Sequence, residues 1–235
     1  MVQVILPGTV EPSAFVRVRF RKTGALQYTA HLDLVRTLTK AINRAGIPVR
    51  YSEGFNPHPR FSFATAMSIG LESLYELMDI RIDRPVDPDA LALALRESLT
   101  EECYIEEAYF AKTKFTDIAY SSYVARIFAP NASAALAKQC EDALRGREVV
   151  VFKRSKSGDK DTNIAPFIKE VACTYEDGAI LLRTLLTADN AHFLNPEYLI
   201  TYLKQTVGIL QGNPMEERYE LCRTGLYTKE MTLFR

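Results

Sequence analysis

The chain has 235 residues, which suffices for one large domain or for two small domains that each bury a core. Its 29 basic residues cancel its 29 acidic residues, and its hydrophobic and charged fractions are those of a soluble globular protein, so the net charge indicates no class of partner. The opening residues lack the basic start of a signal peptide, and no segment approaches the roughly 18 apolar residues of a membrane span.

The residue types that bind metals are spaced in a way that predicts no metal site, no iron–sulfur cluster and no resident cofactor. The cysteines stand more than thirty residues apart, and no two histidines have the i,i+4 spacing of a helical metal site. These residues are Cys103, Cys140, Cys173, Cys222, His31, His58 and His192. A reduced, cytoplasmic protein is the simplest interpretation.

Charge is unevenly distributed within the first half of the chain. Residues 1–60 contain nine Lys or Arg against three acidic residues, a net charge of +6, whereas residues 61–110 contain three against eleven, a net charge of −8. The basic segment could therefore pair with the acidic one, or it could contact an anionic partner.

The first predicted element is a strand at residues 15–22, FVRVRFRK, where apolar and basic side chains alternate. Arg17, Arg19 and Arg21 share the face opposite the apolar residues. Guanidinium groups at this spacing suit a nucleic-acid backbone, but cross-strand pairing with Asp79 and Asp83 is equally compatible with the pattern.

A helix follows at residues 31–46, with apolar residues at helical spacing and Gly46 as its stop. The other side of this helix presents Arg36, Lys40 and Arg44 at intervals of four residues, which makes a basic ridge. Such a ridge is either a solvated helix face or a surface that binds an anionic partner.

The segment RYSEGFNPHPR, residues 50–60, is here named the motif loop. Gly54 permits a positive φ, and Pro57 and Pro59 hold the preceding residues extended, so a rigid polar loop is predicted. A rigid loop holds its side chains ready for a ligand, although it could also be a stiff start to a strand whose polar groups satisfy only the backbone. Its candidate binding side chains are Arg50, Tyr51, Asn56, His58 and Arg60, and Glu53 is a further functional group.

Two strands, a helix and a fourth strand complete the first half. The order strand, helix, strand, strand, helix, strand within residues 14–112 predicts a ferredoxin-like α+β domain with an antiparallel sheet, whose arginine-bearing face is open. The predicted ranges are 60–67 and 76–83 for strands, 87–99 for a helix and 103–112 for a strand.

A second α+β domain is predicted for residues 118–235, so the fold class is α+β with two ferredoxin-like halves that could enclose a central cleft. Lys153 and Arg154 open a basic loop that indicates either a nucleic-acid contact or a solvated hairpin. The predicted elements are strands at 120–130, 148–155 and 219–230, helices at 132–146 and 195–208, and a hairpin about residues 176–178.

The segment from about Arg17 to Ile82, above all Gly54 to Pro59, resembles the radical-SAM-linked family of unknown function, whose members are fused to or encoded beside radical SAM proteins. The resemblance continues more loosely through KDTNIAPFI and the closing RTGLY. Family members carry a serine where this chain has Ala30. The resemblance implies a radical SAM protein as partner, and the absence of a three-cysteine cluster motif implies that this chain is the accessory member of the pair.

The order of elements is also similar to that of tRNA pseudouridine synthases, which pair two ferredoxin-like halves across a basic cleft. Their catalytic aspartate lies between the first helix and the next strand, the place that Glu53 occupies here. Glu53 is therefore the candidate catalytic residue, although its extra methylene would displace a nucleophile.

Three functional hypotheses follow. In the first, the protein is an RNA-binding accessory factor that presents tRNA or rRNA to a radical SAM partner. In the second, it modifies a nucleobase itself through Glu53. In the third, it is an interaction module that docks a protein through acidic residues 72–107 and the motif loop.

Overall fold

The computed structural model describes residues 15–153 and 158–235, which divide into two compact units. Unit 1 ends at Phe115 and includes Arg235, and unit 2 is Thr116–Phe234. The fold is α+β with antiparallel strand pairing. Its strands are β1 (Phe15–Lys22), β2 (Phe61–Phe63), β3 (Leu71–Arg81), β4 (Ile105–Phe110), β5 (Tyr120–Phe128), β6 (Val150–Lys153), β7 (Lys160–Asn163), β8 (Ile168–Glu176), β9 (Ala179–Thr187) and β10 (Arg218–Tyr227). Its helices are α1 (His31–Arg44), α2 (Pro88–Ser98), α3 (Ala134–Leu144) and α4 (Glu197–Thr206).

Unit 1 has the strand order β4-β1-β3-β2, with every neighbouring pair antiparallel. This is the order of a ferredoxin-like β-α-β-β-α-β chain, so the predicted fold class is confirmed. The second and third strands differ in extent from the prediction, because β2 is only three residues long and β3 begins at Leu71. Burial on both faces of β3 removes the alternation that marks a strand in the sequence.

The core of unit 1 lies on the helix-covered face of its sheet. Val16, Val18 and Phe20 of β1 are fully buried there, together with Leu38 and Ile42 of α1. Burying each of these side chains contributes about 1.5–3 kcal/mol, so the alternation along β1 fixes which face meets the helices.

Helix α1 is capped by backbone hydrogen bonds at its C-terminus and has no side-chain cap at its N-terminus. At the end, the amides of Gly46 and Ile47 donate to the carbonyls of Asn43 and Ile42 at 3.1 and 3.2 Å, and Gly46 has φ +66°, as a Schellman motif requires. At the start, Ala30 offers no side chain to cap the helix. The position of the motif loop is therefore set by the end of the helix.

Unit 2 repeats the same order, β10-β5-β9-β8, again antiparallel throughout. The predicted hairpin is confirmed, since Asp177 and Gly178 both have positive φ, at 49° and 78°, between β8 and β9. The strand predicted at 148–155 is not the second strand of this sheet. Its residues 150–153 form β6, which pairs with β7 in a separate two-stranded ribbon. The second-strand position of the sheet is occupied by β8, which pairs with β9.

Candidate functional site

The motif loop is closed at its base by backbone hydrogen bonds. The amide of Ser52 donates to the carbonyl of His58 at 2.8 Å, and the amide of His58 donates to the Ser52 hydroxyl at 2.9 Å. Tyr51 and Pro59 form a bridge next to this ring. His58 therefore closes the loop through its backbone, and its side chain is exposed.

Two further contacts hold the loop against unit 1. The hydroxyl of Tyr51 donates to Asn43 Oδ1 of α1 at 2.9 Å. The amide of Arg50 donates to the carbonyl of Arg81, and the amide of Arg81 donates to the carbonyl of Arg60, which ties both ends of the loop to β3. These hydrogen bonds hold the loop against both α1 and β3.

Gly54 turns the chain at the tip with φ +128°, a conformation that side chains rarely adopt. A Cβ at this position would meet no atom within 4 Å, so the glycine is required by the backbone angle and not by crowding. The turn leaves Glu53, Phe55 and Asn56 exposed.

A groove of about 860 Å³ lies between α1 and the end of the motif loop, entirely within unit 1. We name it the α1 groove. It brings together two histidines, two basic residues of the predicted ridge and the aromatic residues of β2. Its lining is His31, Leu32, Val35, Arg36, Thr39, Lys40, His58, Pro59, Phe61, Ser62, Phe63 and Ala66.

Aromatic rings form one wall of the α1 groove. The ring of Phe63 meets those of His31 and Phe61 edge to face, with centroids 5.1 and 5.8 Å apart. These contacts hold the rings in place, because edge-to-face pairs are favoured by about 0.5–1.5 kcal/mol beyond the area they bury. The wall presents a fixed apolar surface to whatever occupies the groove.

Two cationic side chains, Arg36 and Lys40, also line the groove. Arg36 Nη1 donates to Asp33 Oδ1 at 2.9 Å in an exposed i,i+3 pair that contributes only about 0.3–0.5 kcal/mol and leaves most of the guanidinium free. Lys40 forms no ion pair with any residue that the structure describes. Arg36 and Lys40 are therefore exposed at the groove, where an anion could contact them.

The arginines of β1 are placed differently, and the expected open arginine-bearing face is corrected by the structure. Arg17 is fully buried and donates to both oxygens of Asp79, from Nε at 2.7 Å and from Nη2 at 2.8 Å. It also donates to the Thr113 hydroxyl and carbonyl at 2.6 and 2.9 Å, and its Cζ lies 4.4 Å from the ring centroid of Phe115. The segment after β4 covers Arg17, so this residue cannot reach a ligand on the surface.

Arg19 and Arg21 also pair within unit 1. Arg19 Nε donates to Glu107 of β4 at 2.8 Å, and Arg21 pairs with Glu106. The acidic segment thus neutralises the strand and not the ridge. Arg44 of the predicted ridge donates to the carbonyl of Ser98 at the end of α2 at 2.7 Å, so it is engaged away from the α1 groove.

The remaining predicted residues lie outside the α1 groove. Arg50, Glu53, Asn56 and Arg60 belong to the motif loop but do not line the cavity. In unit 2, the Lys153 ammonium lies 5.0 Å from the ring centroid of Tyr198, and burial together with Lys160 lowers its pKa. Arg154 lies outside the described residues.

Sequence reasoning missed part of the site. Phe61 and Phe63 were predicted only as strand residues, and His31 only as part of the predicted helix. The signal was present, because residues two apart on a strand share a face, and His31 begins the helix that packs beside that strand.

A second cavity of about 910 Å³ lies within unit 2. Its hydroxyl groups bond to one another, as with Ser122 and Thr224 at 2.8 Å.

Within the described residues no helix is long and apolar enough to cross a membrane. In the same part of the chain, no three or more His, Cys, Asp or Glu side chains are grouped as a metal ion would need.

Solved structures give distant likenesses. One is a chain of a Cbf5–Nop10–Gar1 complex, with TM-score 0.45 and 10% identity, where the match covers 90% of this chain and 49% of the other, so this chain spans about half of its length. Another is an unknown protein from Galdieria sulphuraria, with TM-score 0.26, 11% identity and coverage of 90% and 98%. Both TM-scores lie below 0.5.

No curated protein matches the chain. A family model described as "Uncharacterized protein conserved in bacteria (DUF2344)" matches residues 16–196. Because the match covers well over half of the sequence, the chain belongs to this family of uncharacterised bacterial proteins.

Proposed function

We propose that the protein binds RNA through the α1 groove and the motif loop. The observation that carries the proposal is the lining of the groove, which combines packed aromatic rings with the cations of Arg36 and Lys40. RNA-binding proteins combine these two features, because cations contact the backbone and aromatic rings contact unstacked bases.

The distribution of ion pairs supports this assignment. The basic residues of β1 are neutralised by Asp79, Glu106 and Glu107, whereas Lys40 has no ionic partner among the described residues. Arg36 pairs only with Asp33 of its own helix, so the acidic segment does not neutralise the cations of the groove.

We further propose that the bound RNA is tRNA or rRNA and that the protein presents it to a radical SAM enzyme, acting as an accessory factor. The resemblance of the motif loop to the radical-SAM-linked family supports the identity of the partner. A reconstitution tests this step, because a presenting factor should join the enzyme to RNA and lose part of the complex on nuclease treatment. A complex that is indifferent to nuclease would instead indicate a protein-docking module.

Catalysis by Glu53 is less well supported than binding. Its carboxylate is exposed and does not line the α1 groove, where a base would be enclosed. A nucleobase modification that depends on Glu53, found by mass spectrometry of RNA incubated with wild type but not with Glu53→Gln, would favour the enzyme over the accessory factor.

Salt-dependent binding tests the proposed function directly. Fluorescence anisotropy with labelled tRNA, repeated over a range of salt concentrations, gives the slope of log K against log salt. Each phosphate contact to single-stranded RNA contributes about 0.7 to this slope, so Arg36→Ala with Lys40→Ala should lower it by about 1.4.

The control is an exposed lysine of the other unit. Lys138 on α3 pairs with Asp142 in an i,i+4 arrangement, so Lys138→Ala removes one charge without touching the groove. Wild-type protein that binds no RNA at low salt, or an equal loss of slope in the control, would refute the proposed function.

A further inference from the structure

The tip of the motif loop carries the most exposed large apolar side chain of the described residues. Phe55 has 111% relative exposure, so its ring contacts almost nothing in the protein. The next most exposed, Met215, is at 86%. A single exposed apolar residue is common on protein surfaces, and the support beneath it must decide whether it has a role.

The support under Phe55 is rigid. The ring of bonds between Ser52 and His58 closes the loop, and Tyr51 fastens it to α1. A phenylalanine has two side-chain torsions, so an aromatic ring on a fixed loop loses little entropy when it is buried by a partner. The loop is therefore built to hold an aromatic anchor away from the body of unit 1.

The groups beside Phe55 identify the kind of partner. The Asn56 amide is exposed and makes no hydrogen bond to any described residue, so its donors and its acceptor are available to a base edge. Arg60 follows along the chain and adds a positive charge to the same loop. An apolar pocket of a protein would not be complementary to an amide and a cation, whereas a nucleotide offers a π face, polar edges and a phosphate.

We propose that Phe55 and Asn56 bind one unpaired base of the RNA, with the ring stacked on the base and the amide on its edge. This proposal rests on the proposed function and adds the substrate class, which is single-stranded or looped RNA. A base paired inside a duplex cannot stack on the Phe55 ring. The protein is then a single-strand binder, and its RNA substrate has a looped or unstacked nucleotide at the site of contact.

The experiment compares single-stranded and duplex RNA of the same sequence by fluorescence anisotropy, with wild type, Phe55→Ala and Phe55→Trp. Alanine substitution should weaken binding to the single strand by about 5-fold to about 100-fold and leave duplex binding unchanged. Tryptophan should retain the affinity, since it stacks at least as well. The slope against salt should stay the same in Phe55→Ala, because no charge is lost.

A second measurement reports stacking itself. RNA that contains 2-aminopurine at an unpaired position should be quenched by wild type and by Phe55→Trp, but not by Phe55→Ala. Phe193→Ala provides the control, because Phe193 is a partly exposed phenylalanine of unit 2.

The outcomes separate this inference from the proposed function. Single-strand binding that depends on Arg36 and Lys40 but not on Phe55 would overturn the inference alone. A wild type without RNA affinity would overturn both. A nuclease-resistant protein complex that requires Phe55, without RNA binding, would make the tip a protein anchor and the inference wrong.

Discussion

Replacing Arg17 by alanine tests the interior position that the structure gives this residue. The change leaves the Asp79 carboxylate without its two charge-assisted hydrogen bonds, in a place where its side chain is only 12% exposed. Removing one partner of a buried ion pair costs about 3–5 kcal/mol, because the remaining charge is uncompensated. Two hydrogen bonds to charged groups, at about 1.5–3 kcal/mol each, give a similar figure.

Arg19→Ala is the matched control, since Arg19 lies on the same strand and the same face. Its pair with Glu107 is 25% and 31% exposed at the two side chains, so its loss should cost no more than about 1 kcal/mol. The free energy of unfolding is measured by urea denaturation followed by circular dichroism. The midpoint should fall much further for Arg17→Ala than for Arg19→Ala, with the m-value unchanged.

A double replacement completes this test. Arg17→Met with Asp79→Leu removes both charges and fills the space with apolar atoms, so it should recover most of the stability that Arg17→Ala loses. Equal losses in the Arg17 and Arg19 variants would refute the burial argument, as would a double variant no more stable than Arg17→Ala.

Three other predictions concern the loop and the thiols. Gly54→Ala should lower stability by about 1–3 kcal/mol in urea denaturation and weaken RNA binding, because φ +128° strains any side chain; unchanged affinity would contradict the role of the turn. Tyr51→Phe removes the bond to Asn43 and should cost about 1 kcal/mol, with faster hydrogen exchange in the loop; unaltered exchange would mean that the bond does not hold it. Burial raises the pKa of the Cys103 and Cys173 thiols from 9.0 to about 12. Because these thiols ionise at lower pH in the unfolded chain, the free energy of unfolding should be constant below pH 9 and fall as the pH rises towards 12. A free energy of unfolding that stays constant over this range, measured by urea denaturation, would contradict this prediction.

Most of the fold was predictable because local patterns and the global order agree. The alternation in β1, the helical spacing in α1 and the Asp-Gly turn between β8 and β9 each identify one element. Together they reproduce the β-α-β-β-α-β order in each unit. The strand predicted at 148–155 contains β6, but its pairing with β7 was not predicted, because a strand that pairs locally and one that joins the sheet have the same apolar pattern.

The candidate site was predicted only in part. The motif loop and the ridge of Arg36 and Lys40 were visible as an unusual composition and a helical spacing. The burial of Arg17 was not, because it depends on Thr113 and Phe115, nearly a hundred residues along the chain, folding back over the strand. Sequence spacing shows which residues share a face, but it does not show what later covers that face.

The two units extend the same connection in different ways. Unit 1 carries the motif loop between its first helix and second strand, and unit 2 carries the β6–β7 ribbon at the corresponding place. Neither extension alters the order of the sheet beside it. For the experimenter, this connection is a point where a spectroscopic label can be added: a probe on the ribbon would leave both the order β10-β5-β9-β8 and the motif loop intact.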